Sequence, residues 1–191
     1  KFKHQIKNSY LNLPINDENM SNVFTLSRIF KINDEKFIKS LNSFRGLPHR
    51  YEIFLKKKKC LFINDSKATS FEATKFALKN SKNIFWILGG LPKKKDKIIL
   101  RNLKNNIIRC YLIGKNINFF KKQLQNKVTI HISKNLKNSV IRICKDVRLF
   151  GKKNNIILLS PAAASFDQFL NFEKRGEEFK KLSRHYARKF L

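Results

Sequence analysis

The sequence predicts an α/β fold in which a mostly parallel sheet carries helices on both faces, preceded by a short helical segment. Three observations predict it. From Cys60 onward strand-like and helix-like apolar periods alternate strictly, which implies βαβ crossovers. The segment "RGLPHR", with Gly46 and Pro48, interrupts any helix and marks a boundary. The 191 residues, 42% of them hydrophobic, suffice for one good core, or for one domain and part of another.

Residues 16–44 read as two helices joined at Asn33-Asp34. Val23, Leu26, Ile29 and Phe30 recur at helical spacing in the first, and Phe37, Ile38 and Leu41 in the second. Two helices cannot enclose a core of their own, so this piece is expected to belong to a larger domain. Beyond the break, "RYEIFL" and "CLFIND" flank the run Lys56 to Lys59 and read as two strands joined by a charged turn. The remaining strands are "NIFWILGG", "IRCYLIG", "VTIHIS" and "NIILLS". Between them, "SFEATKFALKN", "DKIILRNLKN", "NINFFKKQLQN" and "LKNSVIRICKDVRLF" are helix-like. A last helix carries Phe179, Leu182, Tyr186 and Phe190 on one stripe, to pack across the sheet.

Composition narrows the function classes. No apolar stretch approaches the roughly 18 to 20 residues of a membrane span, and the opening "KFKHQIKNSYLNLP" lacks the apolar core of a signal peptide. Cys60, Cys110 and Cys144 are odd in number and far apart, which points to a reducing, cytoplasmic setting. The formal charge of +29 invites a nucleic-acid reading. Its lysines are scattered among Asn, Ile and Phe, as a drift toward A- and T-rich codons would produce, and the aromatics lack base-stacking spacing. His4, His49, His131 and His185 have no metal-ligand spacing. No phosphate loop of the G-x-x-x-x-G-K-[ST] type and no nucleophile elbow is present.

In an open parallel sheet, ligands bind beyond the carboxyl ends of the strands. Three strand ends carry unusual residues. After "CLFI" comes Asn64-Asp65-Ser66-Lys67-Ala68-Thr69-Ser70, where Thr69 and Glu72 form a T-x-x-E capping box. It reads either as an anion-binding helix end or as a capped turn alone. After "NIFWIL", Gly89-Gly90 permit a tight turn and close approach to a ligand, and Lys93 is placed to meet a carboxylate or phosphate. After "NIILL" comes "SPAAASFDQF", with a possible S-x-x-Q box at Ser165 and Gln168. It reads either as a close-approach loop before a helix or as a packing turn beneath the final one.

Taken in order, "GLPHRYE", "NDSKATS", "ILGGLPKKKD" and "SPAAASFDQFLNFEKRGEEF" resemble the D-glutamate-adding branch of the Mur ligase family, from about Asn16 to the end. The resemblance implies residues 1–45 as the end of a central ATPase domain and 46–191 as a C-terminal Rossmann-like domain. It implies an ATP-dependent ligase that adds D-glutamate to UDP-N-acetylmuramoyl-L-alanine through an acyl phosphate. The cofactors would be ATP and Mg, bound mainly by the central domain, and the enzyme a cytoplasmic monomer without membrane partner. This chain would not catalyse alone and would hold no catalytic residue. By match of position, Thr69, Lys93, Ser165, Phe172 and Lys67 would bind D-glutamate, and Arg50, Asp65 and Asn19 the nucleotide. Asn19 falls in an N-x-x-N turn starting at Asn16, before which Ile15 stands where the family has histidine. Phe166 and Ala163 replace a commoner Leu and Cys, and Leu91-Pro92 a commoner polar pair. A folylpolyglutamate synthase-like ligase and a basic nucleic-acid-binding module remain the alternatives.

Overall fold

In the computed structural model, which describes residues 3–8, 10–12 and 16–191, the chain forms two units, Lys1–Leu47 and Pro48–Leu191. Ile15 lies outside the described residues.

The first unit contains α1 (Asp17–Ile29) and α2 (Asp34–Ser43). Asn33 starts α2, because its side-chain oxygen accepts from the backbone N–H groups of Glu35 and Lys36 at 2.8 and 3.4 Å. Phe37 and Leu41, one turn apart, bury themselves with Ile6 and Leu11 and pack against Tyr10, Met20 and Phe24. The expected stripe of α1 is not its packed face. Val23, Leu26, Ile29 and Phe30 are 44 to 72% exposed, and the inward face is Met20, Phe24 and Ser27.

The second unit is a six-stranded sheet in the order β1-β2-β6-β3-β4-β5. Its strands are β1 (Glu52–Lys57), β2 (Cys60–Asn64), β3 (Ile84–Gly89), β4 (Ile107–Ile113), β5 (Ile130–Lys134) and β6 (Asn155–Leu159). β1 and β2 form an antiparallel hairpin, and every other pairing is parallel. α3 (Phe71–Lys79) and α4 (Ile117–Leu124) cover one face, packing Phe71, Leu78, Phe120 and Leu124 on Trp86, Leu88 and Leu112. On the other face, α5 (Leu136–Phe150) and α6 (Phe172–Phe190) pack Val140, Ile143 and Phe179 on Phe85, Ile87 and Tyr111. The sheet is therefore an apolar layer between two helical ones, the α/β architecture the alternating periods imply. All three cysteines are buried and free.

Three local expectations fail, each for a physical reason. "DKIILRNLKN" forms no α-helix, only a 3-10 helix at Arg101–Asn106. Ile98 and Leu100 are buried at a spacing of two, and the Ile98 N–H donates to Gln123 Oε1 at 2.7 Å, so the segment is held against α4 as an irregular stretch. The T-x-x-E box at Thr69 does not cap α3. Ser70 is the cap, and the Asp96 carboxylate accepts from Phe71 N–H at 2.8 Å, leaving Glu72 to pair with Lys75. The S-x-x-Q box at Ser165 starts no helix either. Gln168 and Phe169 N–H both donate to the Ser165 carbonyl in a turn, and α6 begins after Asn171, whose side chain caps Lys174 N–H at 2.8 Å.

Candidate functional site

β6 returns to lie between β2 and β3, so the chain reverses direction across the sheet between β3 and β6. At such a switch point the loops after neighbouring strands diverge and leave a crevice. Here the loops after β2, β3 and β6 meet at the carboxyl ends of their strands.

They are tied together by the backbone. Leu91 and Ala164 exchange two N–H···O bonds of 2.9 and 3.0 Å, joining the Lys93 loop to the Ser165 loop. Gly89 N–H donates to the Pro161 carbonyl at 2.9 Å. The glycines are demanded by this approach of loop to loop: at Gly89 a Cβ would stand 2.0 Å from the Ile113 carbonyl oxygen, and at Gly90 2.2 Å from that of Ala164, with φ of +135° and +134°. Asp96, capping α3, ties the far end of the Lys93 loop to the segment that carries Thr69.

Beneath the loops lies Arg175, 1% exposed, whose role the residue pattern did not suggest. Its Nε donates to Ser66 Oγ at 3.0 Å, Nη2 to the Ser66 carbonyl at 2.7 Å and Nη1 to the Ala163 carbonyl at 3.0 Å. Ser66 Oγ donates onward to the Phe172 carbonyl at 2.8 Å. Burial lowers the guanidinium to about 10, so it stays charged at neutral pH. The signal was present in the stripe of α6, because one turn before Phe179 falls Arg175, on the buried side with Gly176 and Ser183. His49 is also buried: its Nδ1 accepts from the Asn64 amide at 2.9 Å, which leaves the proton on Nε2, and burial with the charge of Lys180 lowers its pKa.

Of the residues matched to D-glutamate binding, Lys67 and Phe172 meet directly, the ammonium 4.7 Å from the ring centroid. Lys93 is exposed and has no ion-pair partner among the described residues. Thr69 is half-buried and Ser165 is 2% exposed; neither hydroxyl hydrogen-bonds to a described residue. Ala162 and Ala163 are buried, with the Ala163 carbonyl taken by Arg175, so the alanines serve packing beneath the final helix and do not face a ligand.

Of the residues matched to nucleotide binding, Asp65 is buried, its Oδ1 accepting from Tyr51 N–H at 3.1 Å and Oδ2 from Ser160 Oγ at 2.7 Å. Each carboxylate oxygen keeps capacity for a second donor. Arg50 is exposed and close enough for its charge to act on Asp65. Asn19 is exposed within the first turn of α1, not in a turn outside it, and Asn16 is buried with its amide on the Tyr10 carbonyl at 2.7 Å. Asn19 belongs to the first unit, whereas Arg50 and Asp65 belong to the second. Among the described residues no group of three or more His, Cys, Asp and Glu is placed to hold a metal ion.

Burial pushes the Asp65 carboxyl up from 3.8 to about 6, against the hydrogen bonds of Ser160 and Tyr51 and the charge of Arg50. The folded state therefore holds this proton more tightly than the unfolded one. The cost of ionising the buried group is absent below about pH 4 and grows to about 3 kcal/mol above about pH 6. Urea unfolding should show Asp65→Asn gaining stability relative to the parent as pH rises from about 4 to 7. A difference that does not change with pH would contradict the assignment.

None of the established family profiles matches the chain. Among curated proteins it is 38% identical over 169 residues to a UDP-N-acetylmuramoylalanine–D-glutamate ligase of the Wolbachia of Brugia malayi, covering 88% of this chain and 34% of that protein. It is 44% identical over 144 residues to the ligase of that name from Nitrobacter hamburgensis, covering 75% and 31%. It is 38% identical over 164 residues to the one from Bartonella henselae, covering 86% and 35%. A solved murein peptide ligase from Psychrobacter arcticus superposes with a TM-score of 0.45 at 13% identity, over 76% of this chain and 32% of that one. The chain spans about a third of the length of these curated relatives. With that identity sustained across most of its length, the chain belongs to the UDP-N-acetylmuramoylalanine–D-glutamate ligase family.

Proposed function

We propose that this chain is the C-terminal, D-glutamate-binding part of a cytoplasmic, ATP-dependent ligase that adds D-glutamate to UDP-N-acetylmuramoyl-L-alanine in the synthesis of peptidoglycan precursors. The observation that carries the reading is the junction of three strand-end loops, which sets an exposed, unpaired Lys93 beside the loop of Ser165 and ties it to the segment of Thr69. A charged amino acid needs such a set: a cation for a carboxylate, hydroxyls for its oxygens, and an apolar wall.

Lys93 pairs with a side-chain or main-chain carboxylate of the amino acid. Ser165 and Thr69 donate hydrogen bonds from hydroxyls that no described residue engages. Phe172 walls the pocket, with the Lys67 ammonium over its ring. The Asp65 carboxylate takes ribose hydroxyls of ATP and Arg50 the ribose or phosphate oxygens. ATP supplies a phosphoryl group that turns the muramoyl-alanine carboxylate into an acyl phosphate, which the D-glutamate amine attacks with loss of phosphate. Mg, which the family resemblance implies, is read as bound with the ATP phosphates mainly by the central domain. Residues 1–45 are read as the end of the central ATPase domain, a reading supported by the exposed apolar face of α1.

Lys93→Ala in the complete enzyme should raise KM for D-glutamate about 100-fold, as expected when a charged hydrogen-bonded contact is lost. KM for ATP should change less than about three-fold. An unchanged D-glutamate dependence would remove Lys93 from the site.

A further inference from the structure

The two ends of the parallel sheet differ in charge. Within residues 48–191, Asp146 is fully buried and neutralised by Arg109 and Arg142 at 2.8 and 2.9 Å. The other carboxylates stand at the carboxyl ends of the strands or beside them. Glu52 lies opposite Asn64, and Asp65 follows β2. Glu72 and Asp96 sit at the start of α3, Asp167 binds Lys115 N–H after β4, and Glu173, Glu177 and Glu178 lie in the first two turns of α6. Within residues 48–191 no Asp or Glu side chain stands at the opposite, amino end. Its turns carry Lys58 and Lys59 before β2, Lys82 before β3, Lys104 before β4, and Lys152 and Lys153 before β6, all exposed. None of these six makes an ion pair with a described residue.

We propose that this amino end docks on an anionic lipid surface. The lysine-bearing turns are spread over strands from β2 to β4, a width set by neighbouring strands about 4.8 Å apart. Such an array of flexible point charges matches a broad layer of phosphate headgroups, each lysine gaining from the negative surface potential within a Debye length. Nucleic acid asks for other features. Base stacking needs exposed aromatics, and none of the exposed large apolar residues in these turns is aromatic. Planar phosphate forks ask for arginine, and at this end the six lysines outnumber the exposed arginines, Arg101, Arg148 and Arg188. Leu149, 74% exposed in the last turn of α5 beside Lys152, adds an apolar group that a bilayer interface accepts. Docking this end leaves the opposite, carboxyl end of the sheet facing away from the bilayer, so the surface does not depend on the ligase reading.

The test is sedimentation of the 191-residue chain with vesicles of phosphatidylcholine alone or containing one third phosphatidylglycerol. Lys152→Glu with Lys153→Glu is compared with Lys94→Glu with Lys95→Glu, an equal charge change at the other end, and circular dichroism verifies that both pairs are folded. The expected result is salt-sensitive binding to the anionic vesicles only, at least about ten-fold weaker for the 152/153 pair and within about two-fold for the 94/95 pair. Equal loss in both pairs would assign binding to whole-molecule charge and overturn the proposal. No binding of the parent to anionic vesicles, or its displacement from them by an equal charge of single-stranded RNA, would overturn it as well.

Discussion

Arg175→Leu should lower the unfolding midpoint of the sheet domain by about 10 °C, from the loss of about 3 to 4 kcal/mol. The guanidinium makes three hydrogen bonds to Ser66 and Ala163 in a site 1% exposed. Replacing a buried charge by an apolar residue is often harmless when its partners leave with it. Here they do not, because two are backbone carbonyls that remain buried without a donor. Leucine is also shorter and leaves a cavity beneath the loops. Arg175→Lys should recover part of the loss, since an ammonium still donates to one or two of the acceptors. A loss below about 1 kcal/mol for leucine would show that water replaces the guanidinium, and that Arg175 does not hold the two loops.

Gly90→Ala is expected to cost at least about 3 kcal/mol, as forced overpacking together with a φ foreign to alanine. The added Cβ would meet the Ala164 carbonyl oxygen at 2.2 Å, a backbone atom that moves only if the Leu91–Ala164 pairing opens. Amide hydrogen exchange should therefore speed up at Leu91 and Ala164, while the Cys110 amide in the buried centre of β4, bonded to the Thr129 carbonyl, keeps its protection. In the complete enzyme the same change should raise KM for D-glutamate, because the Lys93 and Ser165 loops would no longer be joined. Unchanged exchange at both amides would mean that the loops are held by other contacts.

What could be read in the residues, and what could not, follows the range of the interactions. The alternation from Cys60 to Leu159 was legible because the burial of "NIFWIL" or "NIILL" is written in consecutive side chains. The return of β6 between β2 and β3 was not, since it depends on pairings up to about a hundred residues apart. "DKIILRNLKN" reads as helical because its apolar residues suit either period at short length, and Gln123, from another element, takes the Ile98 N–H instead. Both capping boxes were displaced by side chains outside the local pattern, Asp96 beside Ser70 and Asn171 beyond the turn. Lys67, Thr69, Lys93 and Ser165 fall on loops of the sheet unit, whereas Phe172 opens α6 and Asn19 lies in α1 of the first unit. The cation beneath those loops escaped notice because an arginine on a helix reads as solvated until the phase of the buried stripe is followed back from Phe179.

The proposed role of this chain is to furnish the D-glutamate site of a muramoyl-nucleotide ligase. Its most direct test is phosphate release by the complete enzyme carrying this sequence, supplied with ATP and either of two substrate pairs. Release is expected only when UDP-N-acetylmuramoyl-L-alanine and D-glutamate are supplied together. Release that follows L-glutamate with a folate acceptor, and ignores the muramoyl nucleotide, would contradict it.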